Sequence, residues 1–465
     1  ARLEPFASSI IEQFAGRRVV GLWLPIVIIA AYFTVIWLFI RRSKGRAVAE
    51  IRWIGVCATA IAFTGTSYAL VLASSPTTTS DVFDIWIARG TSPSHSLAVA
   101  DYLSMLPATR GESTVHVKNR QVQVVPTPEP GATVVDSSVH YQGPSVRYQA
   151  EKARIRTLAL DGQVALPGLS ARATARPDAL VVELENQSSY DLDNAFFKLG
   201  RRVVPVGPLA RHERKSIDIG PATGPDVVDR YESDQILDSA GRLRHTILRT
   251  LFVDPSLQSD EEFLTKSYRG AEQGTSSDSL FAGWINRSLL DVSWSQPEGA
   301  TTSRALGLVA IEPEWEFGES RFLVPRGGMT MRLPERGVMQ FYFGRSAFRG
   351  DQPASSSLGI EFVVPPWAQP AEIEQATLFL KFSAQAYRLV VNLGNERLSL
   401  PEVPSGRFPL PASALASRDP RAIKFQLVVE PTTEFADKRV RQGHRWTLRE
   451  FEVECLCRRL PKEDD

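Results

Sequence analysis

Two long apolar stretches near the start of the chain constrain its fold more than any other feature. They cover residues 19–40 and 53–74. About 20 apolar residues in a helix that rises about 1.5 Å per residue span a hydrocarbon core of about 30 Å. The sequence therefore predicts a transmembrane helical hairpin over residues 19–74, with spans at 19–40 and 53–74.

The charge of the loop between the two stretches predicts the orientation of this hairpin. The loop, residues 41–52, holds one acid, Glu50, against the basic residues Arg41, Arg42, Lys44, Arg46 and Arg52. Basic residues close to membrane spans stay on the cytoplasmic side. We therefore expect the 41–52 loop in the cytoplasm and both termini on the periplasmic side of a bacterial inner membrane.

Residues 1–18 have the pattern of an interfacial segment. Phe6, Ile10, Ile11 and Phe14 fall at helical spacing, which suits a short helix at the outer membrane surface. An external N-terminus needs a targeting element, and no signal peptide precedes the first span. We therefore expect the sequence to be the C-terminal part of a longer precursor, with direct translocation of the short tail as the alternative.

Small residues recur along one face of the second predicted span. They are Gly55, Ala58, Ala62, Gly65 and Ala69. Small side chains let helices approach closely in lipid, so this helix-packing face contacts either the first span or another membrane protein. Neither span contains Asp, Glu, Lys, Arg or His, which indicates an anchor rather than a transport pathway.

The remainder of the sequence predicts mainly strands. Residues 75–220 hold short alternating runs separated by turn residues, as in an immunoglobulin-like β region, although residues 96–106 have the pattern of a short helix. Residues 221–288 have apolar positions at helical intervals and predict a helical insert. Residues 289–465 hold seven or eight candidate strands, which favours a jelly-roll-like β-sandwich. The predicted fold class is thus membrane-anchored and mainly β.

Composition and motifs exclude several classes of function. The chain has 53 basic and 52 acidic residues, a formal net charge of +1, and this balance gives no electrostatic basis for nucleic-acid binding. The six histidines are scattered, and no motif of a metal, nucleotide or nucleophilic enzyme occurs. We expect no catalytic, cofactor-binding or metal-ligating residues, no cofactor and no enzymatic activity.

Acidic residues alternate with apolar ones on two candidate strands. They are Glu312, Glu314 and Glu316 on the first strand, and Glu450, Glu452 and Glu454 on the second. Several carboxylates on one face can bind calcium, but a strand with one wet face and one buried face has the same pattern. We interpret both sets as solvated faces.

Cysteine positions on the last candidate strand predict a buried role. Cys455 and Cys457 are in register with Phe451 and Val453, so their side chains should point into a core, where cysteine behaves as a small apolar residue. A metal site or redox pair is the alternative, but further ligands at suitable spacing are missing nearby. The third cysteine, Cys57, falls in the second predicted span.

Aromatic residues raise the alternative of a carbohydrate-binding surface. Sugars stack on exposed aromatic rings, and Trp367 and Tyr387 are the candidates for a ligand platform of this kind. Most of the other candidate tryptophans and tyrosines lie on the apolar face of a predicted strand, and we expect them to be core residues.

A resemblance to a known group of proteins rests on several segments. These are the spans joined through Arg41-Arg42, residues 186–192 leading through Ala195 to 206–209, and residues 280–285. Together they resemble uncharacterised bacterial inner-membrane proteins with a two-helix anchor and a C-terminal β-rich extracytoplasmic region. The 186–209 segment looks like the middle strands of an immunoglobulin-like module. A Gly/Pro-Asn feature frequent in that group is missing from residues 31–36.

The resemblance implies a membrane-anchored accessory protein, and it supplies no catalytic residue. Our first hypothesis is a non-enzymatic scaffold or accessory subunit of an envelope or transport complex, with the lipid bilayer and another membrane or periplasmic protein as partners. The alternative is a module that binds a glycan or another envelope polymer. A third hypothesis is a hydrolase whose catalytic part lies upstream of Ala1.

Overall fold

The chain is mainly β, as the sequence predicts. The computed structural model describes residues 32–34, 37, 63 and 79–461. The gaps within the last range are 107–110, 120, 126–133, 141–142, 151–155, 201, 221–278, 296–299, 333–339, 343–346, 351–355, 385–386, 395, 402–403, 416–418 and 432–445. The described strands form two bodies, which we name the first and the second sandwich.

The first sandwich contains strands β1 to β16. They are β1 (Thr79–Thr91), β2 (Leu97–Leu106), β3 (Gly111–Val117), β4 (Val122–Val125), β5 (Val134–His140), β6 (Gly143–Ala150), β7 (Arg156–Val164), β8 (Leu169–Ala175), β9 (Leu180–Asn186), β10 (Leu192–Leu199), β11 (Arg202–Leu209), β12 (Glu213–Ile219), β13 (Ser279–Ile285), β14 (Val292–Ser295), β15 (Ala300–Glu312) and β16 (Glu314–Phe317).

The second sandwich contains strands β17 to β27. They are β17 (Arg321–Val324), β18 (Thr330–Arg332), β19 (Gln340–Tyr342), β20 (Ala347–Gly350), β21 (Ser356–Val363), β22 (Ala371–Ala384), β23 (Tyr387–Leu393), β24 (Glu396–Arg397), β25 (Ser405–Pro409), β26 (Ala422–Pro431) and β27 (Trp446–Arg459). A 3-10 turn covers Pro366–Ala368, and a short helix, α1, covers Ala412–Leu415.

An eight-stranded sheet forms the larger layer of the first sandwich. Its order is β11-β10-β13-β15-β1-β2-β7-β4. Strand β1 lies inside the sheet, parallel to β15 and antiparallel to β2. Trp86 on β1 is fully buried, and its indole lies over Gly307, where a Cβ atom would fall 1.8 Å from the ring. The sheet therefore joins strands from both sides of the boundaries predicted at residues 220 and 288.

Two four-stranded sheets complete the first sandwich. Their orders are β12-β9-β8-β16 and β14-β3-β6-β5. Strands β8 and β9 alternate between buried and more exposed residues, because successive side chains of a strand point to opposite faces. Their buried side chains share one hydrophobic cluster with Trp86 and other core residues of the eight-stranded sheet.

The second sandwich packs a six-stranded sheet on a five-stranded one. In the first of these, β19-β20-β27-β22-β25 run in that order and β17 also pairs with β27; the other is β18-β21-β26-β23-β24. Phe362, Phe425 and Phe451 meet in the core, with ring centroids 5.4 to 5.9 Å apart. Aromatic pairs at such distances add stability beyond the area that they bury.

The prediction that Cys455 and Cys457 are core residues is confirmed. Both side chains are fully buried and both thiols are free. Burial raises the pKa of Cys455 well above its usual value and raises the pKa of Cys457 to about 12. Because the thiolate is the reactive form, neither cysteine suits redox chemistry or metal binding in the folded chain.

The predicted transmembrane hairpin and inner-membrane location are wrong. In the part of the chain that the structure describes, no helix is long and apolar enough to cross a membrane. A span needs about 20 consecutive helical residues, and no helix among the described residues reaches that length.

Several sequence predictions fall on residues outside the described part of the chain. These are the interfacial segment 1–18, the loop 41–52, and the helix-packing face formed by Gly55, Ala58, Ala62, Gly65 and Ala69. The larger part of the predicted helical insert, residues 221–278, lies outside it as well. The end of that insert, Ser279–Ile285, is strand β13, which is buried along its length between β10 and β15.

The helix predicted over residues 96–106 is wrong. Leu97–Leu106 forms strand β2, which pairs with β1 on one side and with β7 on the other. Its core-facing residues, Leu97, Val99 and Leu103 among them, alternate with positions on the opposite face. Pairing on both edges overrides the local pattern, because propensity is a weak determinant against tertiary contacts.

Asn186 ties together two turns of the first sandwich. Its fully buried amide donates hydrogen bonds to the carbonyl oxygens of Tyr190, Leu209 and Ala210 at 2.8, 3.1 and 3.2 Å. Its Oδ1 accepts hydrogen bonds from the backbone N–H and the hydroxyl of Ser188 at 3.1 and 2.6 Å. The turn after β9 is thereby fixed to the turn after β11.

We expect Asn186→Ala to lower the free energy of unfolding by roughly 2–4 kcal/mol, because it leaves several buried polar groups without partners. Denaturant unfolding followed by tryptophan fluorescence measures the change. The neighbouring exposed Gln187→Ala is the control and should stay within about 0.5 kcal/mol of the unmodified chain. Equal losses for the two variants would contradict the role given to Asn186.

Stacked tryptophans join the two sandwiches. Trp315 on β16 and Trp367 in the 3-10 turn lie with ring centroids 3.8 Å apart and planes at 7°. Phe317 on β16 contacts Phe322 on β17 edge-on, at 5.0 Å. The guanidinium of Arg459 lies 4.6 Å from the centroid of the Phe317 ring. Rings from both bodies thus form one contact surface.

The Trp315–Trp367 stack should appear as a coupling energy between the two sandwiches. In a double-mutant cycle with Trp315→Ala and Trp367→Ala, we expect the two losses to be non-additive by about 0.5–1.5 kcal/mol. Denaturant unfolding of the full chain measures each corner. Trp294→Ala, on β14, replaces Trp367→Ala in the control cycle, which should be additive. Additivity of the Trp315 and Trp367 losses would show that the stack does not couple the bodies.

Candidate functional site

A polar groove crosses the solvent-facing side of the sheet β12-β9-β8-β16. Its volume is about 610 Å³. The residues that line it are Ser92, Pro93, Ser170, Arg172, Glu183, Leu184, Glu185, Arg214, Lys215, Ser216 and Glu314. Cationic, anionic and hydroxyl side chains dominate this set, so the groove suits a polar, charged ligand.

Strand register places the charged side chains of the groove in rows. Glu314, Arg172, Glu183 and Ser216 stand opposite one another on β16, β8, β9 and β12. Neighbouring strands lie about 4.8 Å apart, so an anion, a cation and an anion follow one another at that interval, and the neutral Ser216 ends the row. The next row contains Glu185 between Ser170 and Arg214.

The segment 92–94 forms one wall of the groove. It follows β1 and runs along the edge of β8 beside β16. The hydroxyl of Ser92 accepts a hydrogen bond from the Ala171 N–H at 2.9 Å, and the Ser94 N–H donates to the Leu169 oxygen at 2.8 Å. Ser94 is itself buried, and its hydroxyl donates to the Leu166 oxygen at 2.7 Å. Backbone bonds therefore hold this wall in place.

Most charges of the groove are paired with one another. Arg214 Nη2 lies 2.8 Å from Glu185 Oε2, and Arg172 lies 3.3 Å from Glu316 and 3.9 Å from Glu314. The hydrogen bond from Arg214 lowers the pKa of Glu185 and in turn raises the pKa of Arg214. Ion pairs this exposed contribute about 0–1 kcal/mol each. They orient the side chains more than they stabilise the fold.

Glu183 differs from the other charged residues of the groove. Its side chain is exposed at the centre of the row, and among the described residues no hydrogen bond or ion pair reaches its carboxylate. The facing Arg172 is directed toward β16, while Lys215 contacts Glu213 at 3.4 Å. The charge of Glu183 interacts electrostatically with Arg214, but Arg214 donates its hydrogen bond to Glu185. Among the described residues, Glu183 is therefore an unpaired anionic acceptor beside charges that are paired with one another.

The aromatic platform residues lie apart from this groove. Tyr387 is 4% exposed in the core of the second sandwich, so its ring has no free face for a sugar. Trp367 is partly buried and has one face covered by Trp315. The geometry does not bring the two rings together as a carbohydrate-stacking surface.

The acidic strand residues have mixed surroundings. Glu312, Glu314 and Glu316 are exposed, but β15 ends at Glu312 and β16 begins at Glu314, so the three do not share one continuous strand. The prediction of a solvated face is wrong for Glu452. Its side chain is 4% exposed and lies 2.5 Å from Arg326. A paired carboxylate can thus occupy a covered sheet face. In the described residues no group of three or more His, Cys, Asp or Glu could hold a metal ion.

Sequence reasoning did not find the groove, because its residues are far apart in the chain. The available signal was local: charged or hydroxyl residues alternate with apolar ones on β8, β9 and β12. That pattern is typical of any strand with one wet face, and it does not reveal which strands are neighbours. Register across four strands supplies the missing relation.

Comparison with known proteins gives limited similarity. Residues 168–314 match DUF8725, a domain of unknown function; this range includes the groove residues of β8, β9 and β12 and Glu314. No curated protein matches the chain.

Two solved structures illustrate the level of structural similarity. The mu homology domain of Fcho1 from Danio rerio, solved with a bound peptide, is 8% identical with a TM-score of 0.28, covering 52% of this chain and 97% of its own. The mu-homology domain of yeast delta-COP-I, in complex with a WxWxV peptide, is 6% identical with a TM-score of 0.27, covering 51% and 96%.

Proposed function

We propose that this chain is a non-enzymatic binding scaffold whose groove on β12-β9-β8-β16 holds a polar segment of a partner protein. The observation that carries the proposal is the position of Glu183, an exposed carboxylate without a partner among the described residues, between Ser216 and Arg172, which is itself paired with Glu314 and Glu316. A basic side chain of the partner, lysine or arginine, pairs with Glu183. The hydroxyl groups of Ser92, Ser170 and Ser216 serve neighbouring polar groups.

An extended peptide fits the shape of this groove better than a compact molecule. The groove is open to solvent and extends over several strands, so it offers a row of contacts and not an enclosed cavity. Small-molecule sites are usually concave and mostly apolar, whereas this lining is ionic. Side chains of an extended segment repeat on one face at every second residue, which suits successive contacts along the sheet.

The frame around the groove supports binding without chemistry. Ion pairs and strand register hold Arg172, Glu185 and Arg214 in place before a ligand arrives, which reduces the entropy lost on binding. In this proposal the first sandwich serves as an immunoglobulin-like recognition module. The jelly-roll-like second sandwich, joined to it through the Trp315–Trp367 stack, serves as a rigid support.

Peptide selection on the full chain tests the proposal. A displayed library of random peptides is panned on the folded protein, and the affinities of selected peptides are measured by fluorescence anisotropy. We expect lysine or arginine to be enriched in the selected peptides. Glu183→Gln should then weaken binding about tenfold, or about 1.4 kcal/mol, because it removes the charge while keeping the shape. Higher salt should weaken binding as well.

Glu396→Gln is the matched control, since Glu396 is an exposed glutamate on β24 of the second sandwich. It should bind selected peptides as the unmodified chain does, and circular dichroism should show that both variants are folded. Selection without enrichment of basic residues would contradict the proposal. Equal affinity of the unmodified chain and Glu183→Gln for the selected peptides would contradict it too.

A further inference from the structure

Two carboxyl groups lie in the apolar interior of the first sandwich. Asp84 on β1 and Asp101 on β2 are 4% and 1% exposed. Asp84 stands opposite Leu103, and Asp101 stands opposite Trp86, so the two aspartates are diagonal neighbours on the same face of the sheet. Trp86 and Leu103 belong to the main hydrophobic cluster, which identifies this face as the core side.

The elements around the pair supply apolar side chains. Strand β7, beside β2, contributes Leu158 and Leu160 to the cluster. Strand β15, beside β1, places Ala305 opposite Asp84 and Gly307 opposite Trp86.

The opposing sheet adds uncharged side chains to this core, with the Ser113 hydroxyl and the Trp294 indole N–H as their polar groups. Strands β3, β6 and β14 contribute Ser113, Val115, Val117, Val146, Val292 and Trp294. The charged residues described on the surrounding elements are exposed: Arg89 on β1, Glu112 and His116 on β3, Arg147 on β6, Asp161 on β7, Arg287 and Asp291 after β13, and Arg304 and Glu312 on β15. Among the described residues, no cation compensates the two aspartates.

Hydrogen bonding leaves both aspartates incomplete. None of their four carboxyl oxygens accepts a hydrogen bond of good geometry, and the backbone N–H of Tyr102, which approaches Asp101, only partly offsets the rise in its pKa. Ser288 approaches Asp84, but its hydroxyl proton is directed to the Leu290 oxygen, 2.8 Å away. Two buried carboxylates without a donor or a cation would be strongly unfavourable. A proton on one of them turns that group into a donor and the other into its acceptor.

We propose that Asp84 and Asp101 share one proton in the core of the first sandwich, so that the stability of this body is controlled by pH. The bound proton forms a carboxyl–carboxylate hydrogen bond across β1 and β2 and removes one of the two buried charges. Its loss leaves two facing anions in the apolar interior. This inference is independent of the binding proposed for the groove.

Electrostatics support the assignment of the proton to Asp101. Burial raises the pKa of Asp101 well above its usual value, and the Asp84 charge raises it further. Burial also raises the pKa of Asp84, although the hydrogen bond with Asp101 lowers it in part. Like charges that share a site separate their titrations in this way. Asp101 therefore holds the proton, and Asp84 accepts the hydrogen bond.

The direction of the pH dependence follows from linkage. The folded chain holds the proton at pH values where the unfolded chain has released it, so folding takes up a proton. Stability is therefore greatest below the ordinary aspartate pKa of about 3.9 and falls as the pH rises toward the folded pKa. Within that window the unfolding equilibrium constant increases about tenfold per pH unit for one proton.

Denaturant unfolding of the full chain at a series of pH values tests this inference. Asp101→Asn keeps a hydrogen-bond donor for Asp84 and cannot ionise. We expect the ratio of the unfolding constants of the unmodified chain and Asp101→Asn to increase at least about tenfold between pH 4 and pH 7. Asp218→Asn, an exposed aspartate on β12, is the control, and its ratio should not change with pH.

Infrared spectroscopy of the unmodified chain gives a second measurement that does not depend on a variant. At pH 7 the folded chain should show the carbonyl stretch of a protonated carboxyl group, and unfolding should abolish it. A ratio for Asp101→Asn that is independent of pH would overturn the inference. If that variant does not fold, a folded unmodified chain without the protonated carboxyl band would overturn it.

Discussion

The parallel pairing of β1 with β15 is the interaction on which the rest of the first sandwich depends. It joins residues 79–91 to residues 300–312, which are distant in sequence, inside the eight-stranded sheet. Because the strands are parallel, their C-terminal ends leave the sheet at the same place. The Ser92 N–H donates to the Glu312 oxygen at 2.9 Å there. The two segments that follow β1 and β15, namely 92–94 and β16, then run along the edge of β8. The β1–β15 pairing therefore also positions the wall and one end of the groove.

Buried polar groups in this body follow two contrasting designs. Asn186 has its hydrogen-bonding capacity met by turns that it holds together, and a satisfied buried amide specifies a unique arrangement. Asp84 and Asp101 accept no hydrogen bond of good geometry in their ionised form, so their surroundings favour a bound proton. The first design gives a fixed corner that does not respond to pH. The second makes the core of the same body sensitive to it.

Strand positions were more predictable from the sequence than their partners. Tyr387–Leu393 is strand β23, inside the region predicted to hold seven or eight strands, and Cys455 and Cys457 are buried as the alternation on β27 indicates. The helix predicted over residues 96–106 is wrong because β2 is paired on both sides, and a local sequence pattern does not show strand pairing. The groove depends on register across β16, β8, β9 and β12, and a single sequence carries no direct signal for such register. The position of the Asp84–Asp101 pair depends on register in the same way.

The account centres on Glu183 as the anionic acceptor of the groove. Carbodiimide labelling of carboxyl groups on the full chain, read by mass spectrometry with and without a selected basic peptide, tests this most directly. The account predicts that Glu183 is labelled readily in the free chain, and that the peptide suppresses labelling of Glu183 while Glu112 and Glu396 stay unchanged. Unchanged labelling of Glu183 at saturating peptide, or protection confined to the second sandwich, would contradict it.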